Sequence, residues 1–177
     1  MKILLFFTLL FSPAIIFSQS VKDLFLQIPE NYLQVSVTER AKLITETDGD
    51  FLKFMLSEKS RGELKIINRK TDEIWLGMTT NDCDGNTLQF WKIKKGIWKE
   101  ATKEIIKPLG KDDVFNILAV SPVTITKIEQ QPEIAIFYEF SADSNNLRLI
   151  ARRQDSCDIA GTVYTYEFNG KKLEIAK

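Results

Sequence analysis

The sequence predicts an α+β domain built on antiparallel β-sheet, with short helices packed on one face and two similar halves as a candidate internal organisation. Three observations predict it. Apolar residues in the first third recur at helical spacing, the spacing changes to two from Glu63 onward, and Asn, Gly and Pro fall where hairpins need them.

Residues 1–18 stand apart from that domain. Lys2 precedes an apolar run from Ile3 to Phe17, broken by Pro13, and small residues follow at Ser18 and Ser20. This is the pattern of a cleavable secretory signal peptide, with the cut expected after Ser18 or after Ser20. The run is too short and too interrupted for the ~20 apolar residues of a membrane-spanning helix, so no stable membrane anchor is expected after cleavage. Residues 19–177 then form one domain of ordinary size, exported to the periplasm or beyond.

Within it, Val21 to Gln27 before Pro29 and Val37 to Ile44 read as short helices, the second with Thr38 as its candidate N-cap. Phe51 to Leu56 follows the turn Asp48-Gly49-Asp50 and is short enough to suit a helix or an opening strand; the strand is the reading adopted. Leu64 to Asn68 and Glu73 to Thr79 form a hairpin across Arg69 to Asp72. Thr87 to Lys94 and Ile97 to Lys99 flank Lys95-Gly96, and Val123 to Ile128 and Ile134 to Phe140 flank Gln131-Pro132. Pro108 to Ala119 reads as a short helix with Asp112 and Asp113 near its start. Leu147 to Arg152, Val163 to Phe168 and Lys172 to Ile175 complete the strands. The last two meet at Asn169-Gly170, where a type I′ turn is expected because Asn-Gly tolerates positive φ at both central positions.

Helices followed by strands occur twice in this order. Cys83-Asp84 stands 13 residues before Gly96, and Cys157-Asp158 stands 13 before Gly170. Residues 37–102 and 110–177 are thus candidate repeat halves, although Trp91 and Ile93 align with Thr165 and Glu167, which argues for chance.

Composition narrows the function. Lys plus Arg and Asp plus Glu are equal at 24 each, so nothing electrostatic favours nucleic acid as a partner. Histidine is absent, which removes His-based nucleophilic catalysis and His-ligated zinc. Cys83 and Cys157, bound for an oxidising compartment, are expected to form a disulfide, with two free thiols as the alternative. Such a bridge would close a loop of ~75 residues and contribute about 4 kcal/mol in the chain-entropy account.

No catalytic, metal or cofactor motif survives inspection, and no cofactor is expected. Placing Gly85 or Gly49 at the sixth position of a calcium loop puts Thr80 or Ile44 first, and neither register supplies the required oxygens; both stretches read as turns. Asp82 and Asp84 with Glu133 and Glu139, or Asp155 and Asp158, are carboxylates that a glycoside hydrolase would need in pairs. Solvated surface acids are the simpler account. Aromatic residues crowd the strands, and Tyr164, Tyr166 and Phe168 share one strand face by their spacing of two. That row is either a sheet face buried under helices or an exposed platform for sugars or a partner protein. Lys92, Lys94, Lys95 and Lys99 read as the solvated face and edge of their hairpin.

Val21-Lys22-Asp23-Leu24-Phe25, Ile28-Pro29, the strand running through Thr79-Thr80 into a Cys-containing turn, and the strand before Gly96 span roughly residues 21 to 110. Together with the short signal they resemble a family of small exported Gram-negative bacterial proteins described as a domain of unknown function. Members often carry two cysteines in that turn, where this chain has only Cys83. The resemblance implies no activity, ligand or catalytic residue. The expectation is a non-enzymatic exported protein that binds another protein or an envelope component through an exposed sheet face. The alternatives are a carbohydrate-binding module and a hydrolase with paired acids.

Overall fold

The computed structural model describes residues 19–82, 86–109, 112–113, 134–153 and 159–176. Helix α1 (Val21–Gln27) starts where Ser20 closes a capping box. The Ser20 hydroxyl accepts from Asp23 N (3.1 Å), and the Asp23 carboxylate accepts from Ser20 N (2.9 Å). The Ser20 hydroxyl also donates to that carboxylate (2.7 Å), and this bond first, with the Ser20 N–H second, holds the Asp23 carboxyl below the ordinary carboxylate value. The helix stops at Ile28, just before Pro29, and buries Val21, Leu24 and Phe25. Helix α2 (Val37–Leu43) takes Ser36 as its N-cap residue rather than Thr38. The chain turns helical at Val37, one residue before the expected cap, and the Ser36 hydroxyl donates to the Glu39 carboxylate (3.0 Å).

Ile44 ends α2 and opens a six-stranded antiparallel meander, with strands β1 (Ile44–Asp48), β2 (Phe51–Met55), β3 (Arg61–Lys70), β4 (Glu73–Asn81), β5 (Asn86–Lys94) and β6 (Ile97–Glu100) in that spatial order. A short helix α3 (Thr102–Ile105) follows. A second antiparallel meander comprises β7 (Ile134–Phe140), β8 (Leu147–Arg153), β9 (Ile159–Phe168) and β10 (Leu173–Ile175). The described residues are therefore mostly β, more so than the α+β expectation. Asp112 and Asp113 are helical, but Pro108 and Leu109, where that helix was expected to begin, are not; the rest of it and the strand expected at 123–128 lie outside the described residues, as do residues 1–18.

The layers follow from alternation along the strands. Ile74, Leu76 and Met78 on β4 face Leu24, Phe25 and Ile28 in one apolar cluster. Trp75 on the opposite face joins Phe90, Phe140, Leu149 and Tyr166 in a second cluster between the two sheets. Helices thus cover one face of the larger sheet, as expected, and the smaller sheet covers the other. β4 is buried on both sides and reads as a nearly continuous apolar run.

Gly77 lies at a tight contact between the sheets. A Cβ there would lie 2.5 Å from ring atoms of both Phe90 and Phe140, which pack edge to face at 5.9 Å. Gly77→Ala is expected to destabilise the fold by about 2 kcal/mol, the usual cost of overpacking a rigid core. Chemical denaturation checks it, and an unchanged midpoint would show that the sheets can separate cheaply.

The turns divide their chemistry differently from expectation. Lys95 (φ 51°) and Gly96 (φ 76°) form a two-residue loop with both residues at positive φ, the signature of a type I′ turn. The hairpin at Asn169-Gly170 exists, but only Gly170 has positive φ there (86°), and the pair Phe168 to Leu173 leaves four loop residues. Asn169 instead accepts from Lys171 N (3.0 Å) and Lys172 N (2.9 Å) through its side chain. An Asx-type turn replaces the expected one.

Candidate functional site

The two sheets are joined by side chains of the larger sheet that bond the backbone of β7 and the loop after it. β7 ends its sheet, and alternate residues on an edge strand point their backbone groups outward. Glu63 on β3 accepts from Phe140 N (2.7 Å), and Asn81 at the end of β4 donates to Tyr138 O (3.5 Å). Asn86 at the start of β5 donates to Ile136 O (3.3 Å) and accepts from Tyr138 N (2.8 Å). Polar side chains thus replace a missing neighbour strand. Beyond β7, Lys65 Nζ donates to Ala142 O (2.6 Å), and Asn145 donates to Ile67 O (3.0 Å).

Where this seam reaches the surface it opens into a cleft of about 590 Å³, bounded by β2 and β3 on one side and by the end of β7, its following loop and Arg148 on the other. Both signs of charge line it. Lys53 pairs with Glu46 (2.7 Å) and Arg148 with Glu139 (3.3 Å), while Arg61 is exposed. Met55 at the rim is 47% exposed.

Burial pushes the Glu63 carboxyl up to about 7. The Phe140 N–H opposes the rise, the Glu139 charge adds to it, and Lys53 and Arg148 also oppose it. Burial likewise lowers the Lys65 ammonium, which lies 5.7 Å from the Phe51 ring centroid. A carboxyl that titrates near neutrality inside a cleft marks a candidate site. Because it is spent on Phe140 N, its first role is to hold the sheets together.

The row Tyr164, Tyr166 and Phe168 forms a wall of the core between the sheets. Tyr166 is 2% exposed, Tyr164 and Phe168 are half-buried against the same cluster, and the Phe168 ring meets Trp75 at 5.8 Å. An exposed aromatic platform is therefore not what these three residues present. Cys83 and Cys157 lie outside the described residues, as do Asp84, Glu133, Asp155 and Asp158. Asp82 is exposed, and Glu139 lines the cleft. Lys92 and Lys99 both pair with Glu104 (2.7 and 3.0 Å), holding that carboxyl down to about 2, and Lys94 pairs with Asp72 (2.7 Å). Lys92 also lies 4.5 Å from the Trp75 ring centroid. Among the described residues no group of three or more Cys, Asp or Glu is placed to hold a metal ion, and no helix is long and apolar enough to cross a membrane.

Sequence reasoning missed Glu63, Arg61 and Arg148. The visible signal was Glu63-Leu64-Lys65-Ile66, whose alternation marks a strand with one charged face without revealing that a second sheet covers that face.

Fold and cleft together define a two-sheet, mostly β protein with a charged opening at one end of the seam. No protein-family model matches the chain, and no curated protein matches it. Its fold is similar to the structure of a domain of an uncharacterized protein from Porphyromonas gingivalis W83, with a TM-score of 0.58. The match covers 86% of this chain and 95% of that one at 12% identity, a likeness of fold alone.

Proposed function

We propose that this chain is an exported, non-enzymatic protein that recognises another protein or an envelope component through the cleft where its two sheets part. The observation that carries the reading is the cleft itself, a groove of mixed charge beside the exposed edge strand β1. Edge strands with open backbone groups are ready templates for an incoming segment. The expected sheet-face surface gives way to this one, because the helices and the second sheet cover the central strands on both faces.

Export rests on the signal pattern of residues 1–18. The capping box at Ser20 favours a cut after Ser18, since a cut after Ser20 would remove the cap of α1 and the carbonyl of Gln19 that accepts from Arg69 (3.0 Å). Affinity capture from envelope extract tests the binding role. Wild-type chain is expected to retain a partner that the double variant Met55→Asp, Arg61→Glu, altered only at the exposed rim, retains at least about tenfold less, as for charge reversal at an interface. Equal retention by both proteins, or none by either, would refute it.

A further inference from the structure

We propose that the exported chain carries a modified first residue, a pyroglutamyl ring formed when the α-amine of Gln19 closes on its own side chain. The inference rests on export with a cut after Ser18 and goes beyond it, because it assigns a covalent modification to the residue that the cut leaves first.

The reaction needs only what Gln19 carries. The amine lone pair attacks the side-chain Cδ, and the new N–Cδ bond closes a five-membered lactam. The Cδ–Nε2 bond breaks, and a proton passes from the amine to the departing nitrogen, which leaves as ammonia. No oxidant, metal or second substrate enters. Nucleophile and acceptor belong to one residue, so the closure is unimolecular.

The structure shows that the product fits. The Gln19 carbonyl accepts from Arg69 Nη1 on β3 (3.0 Å), and the Ser20 N–H that follows it donates to the Asp23 carboxylate (2.9 Å). Arg69 is itself held by Asp50 (2.6 Å). The lactam keeps both the carbonyl and the N–H. The atoms it rebuilds are those the fold does not use. The Gln19 backbone N–H forms no hydrogen bond among the described residues, and Nε2 makes one exposed bond, to Gln27 Oε1 (3.2 Å). Closure therefore gives up a single solvent-exposed hydrogen bond, a small loss, and leaves the capping box and the tie to β3 intact. The ring also protects them. Aminopeptidases start from a free amine, and trimming two residues would remove the Arg69 acceptor and then Ser20, the cap of α1.

Peptide mass spectrometry of the exported chain tests the proposal. Primary amines are dimethylated on the intact protein before digestion, so a ring formed in the cell is told apart from one formed in handling. The N-terminal peptide is expected to begin at residue 19, one ammonia lighter than its sequence and unlabelled, in most molecules. Pyroglutamyl aminopeptidase is expected to release one residue from the unfolded chain. Gln19→Ala, cut at the same bond, is expected to carry the label. A labelled amine on Gln19 in most molecules, or a blocked Gln19→Ala chain, would overturn the proposal while leaving the cut after Ser18 in place. A chain that begins at Val21 or at Met1 would overturn both.

Discussion

Replacing Arg40 with Met is expected to destabilise the fold by about 4 kcal/mol, among the largest effects available to a single substitution. Arg40 is fully buried in the middle of α2. Its guanidinium donates to Val35 O (3.0 Å), Leu26 O (3.2 Å), Leu33 O (3.2 Å) and Ile28 O. Two of these carbonyls end α1, whose last turn leaves its C=O groups without partners inside the helix. The other two lie in the connection between the helices. One side chain thus caps α1, shapes the link and seats both helices as a unit on the larger sheet.

Burial pulls the Arg40 ionisation below its ordinary value, and Glu30 partly restores it. The group nevertheless stays charged. Met retains the apolar stem and removes only the donors, so its cost isolates the carbonyls. Two of the four bonds are buried, and each orphaned buried carbonyl costs about 1–3 kcal/mol. Arg40→Lys is expected to recover less than half of the loss, because one ammonium cannot span four acceptors that a planar fork reaches. Urea unfolding of the three proteins measures this. A loss under about 1 kcal/mol for the Met variant would mean that water reaches the carbonyls, contrary to the argument.

The same residue shows where sequence reasoning reached its limit. In Val37-Thr38-Glu39-Arg40-Ala41-Lys42-Leu43, Arg40 reads as one cation among solvated charges, and only the return of the chain at Pro29 to Ser36 puts four carbonyls around it. Helix α1 and strand β7 were legible to the residue because local chemistry bounds them: Pro29 stops the one, and the apolar run Ile134 to Tyr138 with Phe140 beyond Glu139 defines the other. Strand β1 was not legible. Ile44-Thr45-Glu46-Thr47-Asp48 is half-buried only at Ile44 and exposed beyond it, so pairing with β2, not burial, makes it a strand. The cleft was illegible for a third reason: Glu63 and Glu139 are 76 positions apart. Period-two alternation says which residues share a face and is silent on which faces meet.

Glu63 makes the second large effect one of pH. Its carboxyl titrates near 7 in the folded chain against an ordinary value of 4.5. A raised carboxyl pKa means that the folded state holds the proton more tightly than the unfolded state does. Its contribution is therefore fully present below pH 4.5, where both states are protonated. It is lost as pH rises through 7, where folding must bury a charge. The linkage amounts to about 3 kcal/mol across that window, at about 1.4 kcal/mol per unit. Glu104 and Asp23, whose carboxyls are lowered, act with the opposite sign and only below their ordinary values, so they do not mask it. Glu63→Gln keeps an acceptor for Phe140 N and discards the charge. It is expected to match wild type at pH 4.5 and to exceed it by about 3 kcal/mol at pH 8, read as the difference in urea midpoints. Parallel pH profiles for the two proteins would show that Glu63 ionises freely and that the seam is open to water. If the seam is closed, a partner that presents a cation to the cleft must displace the Glu63 proton below pH 7, and its affinity must rise with pH over the range in which the fold itself weakens.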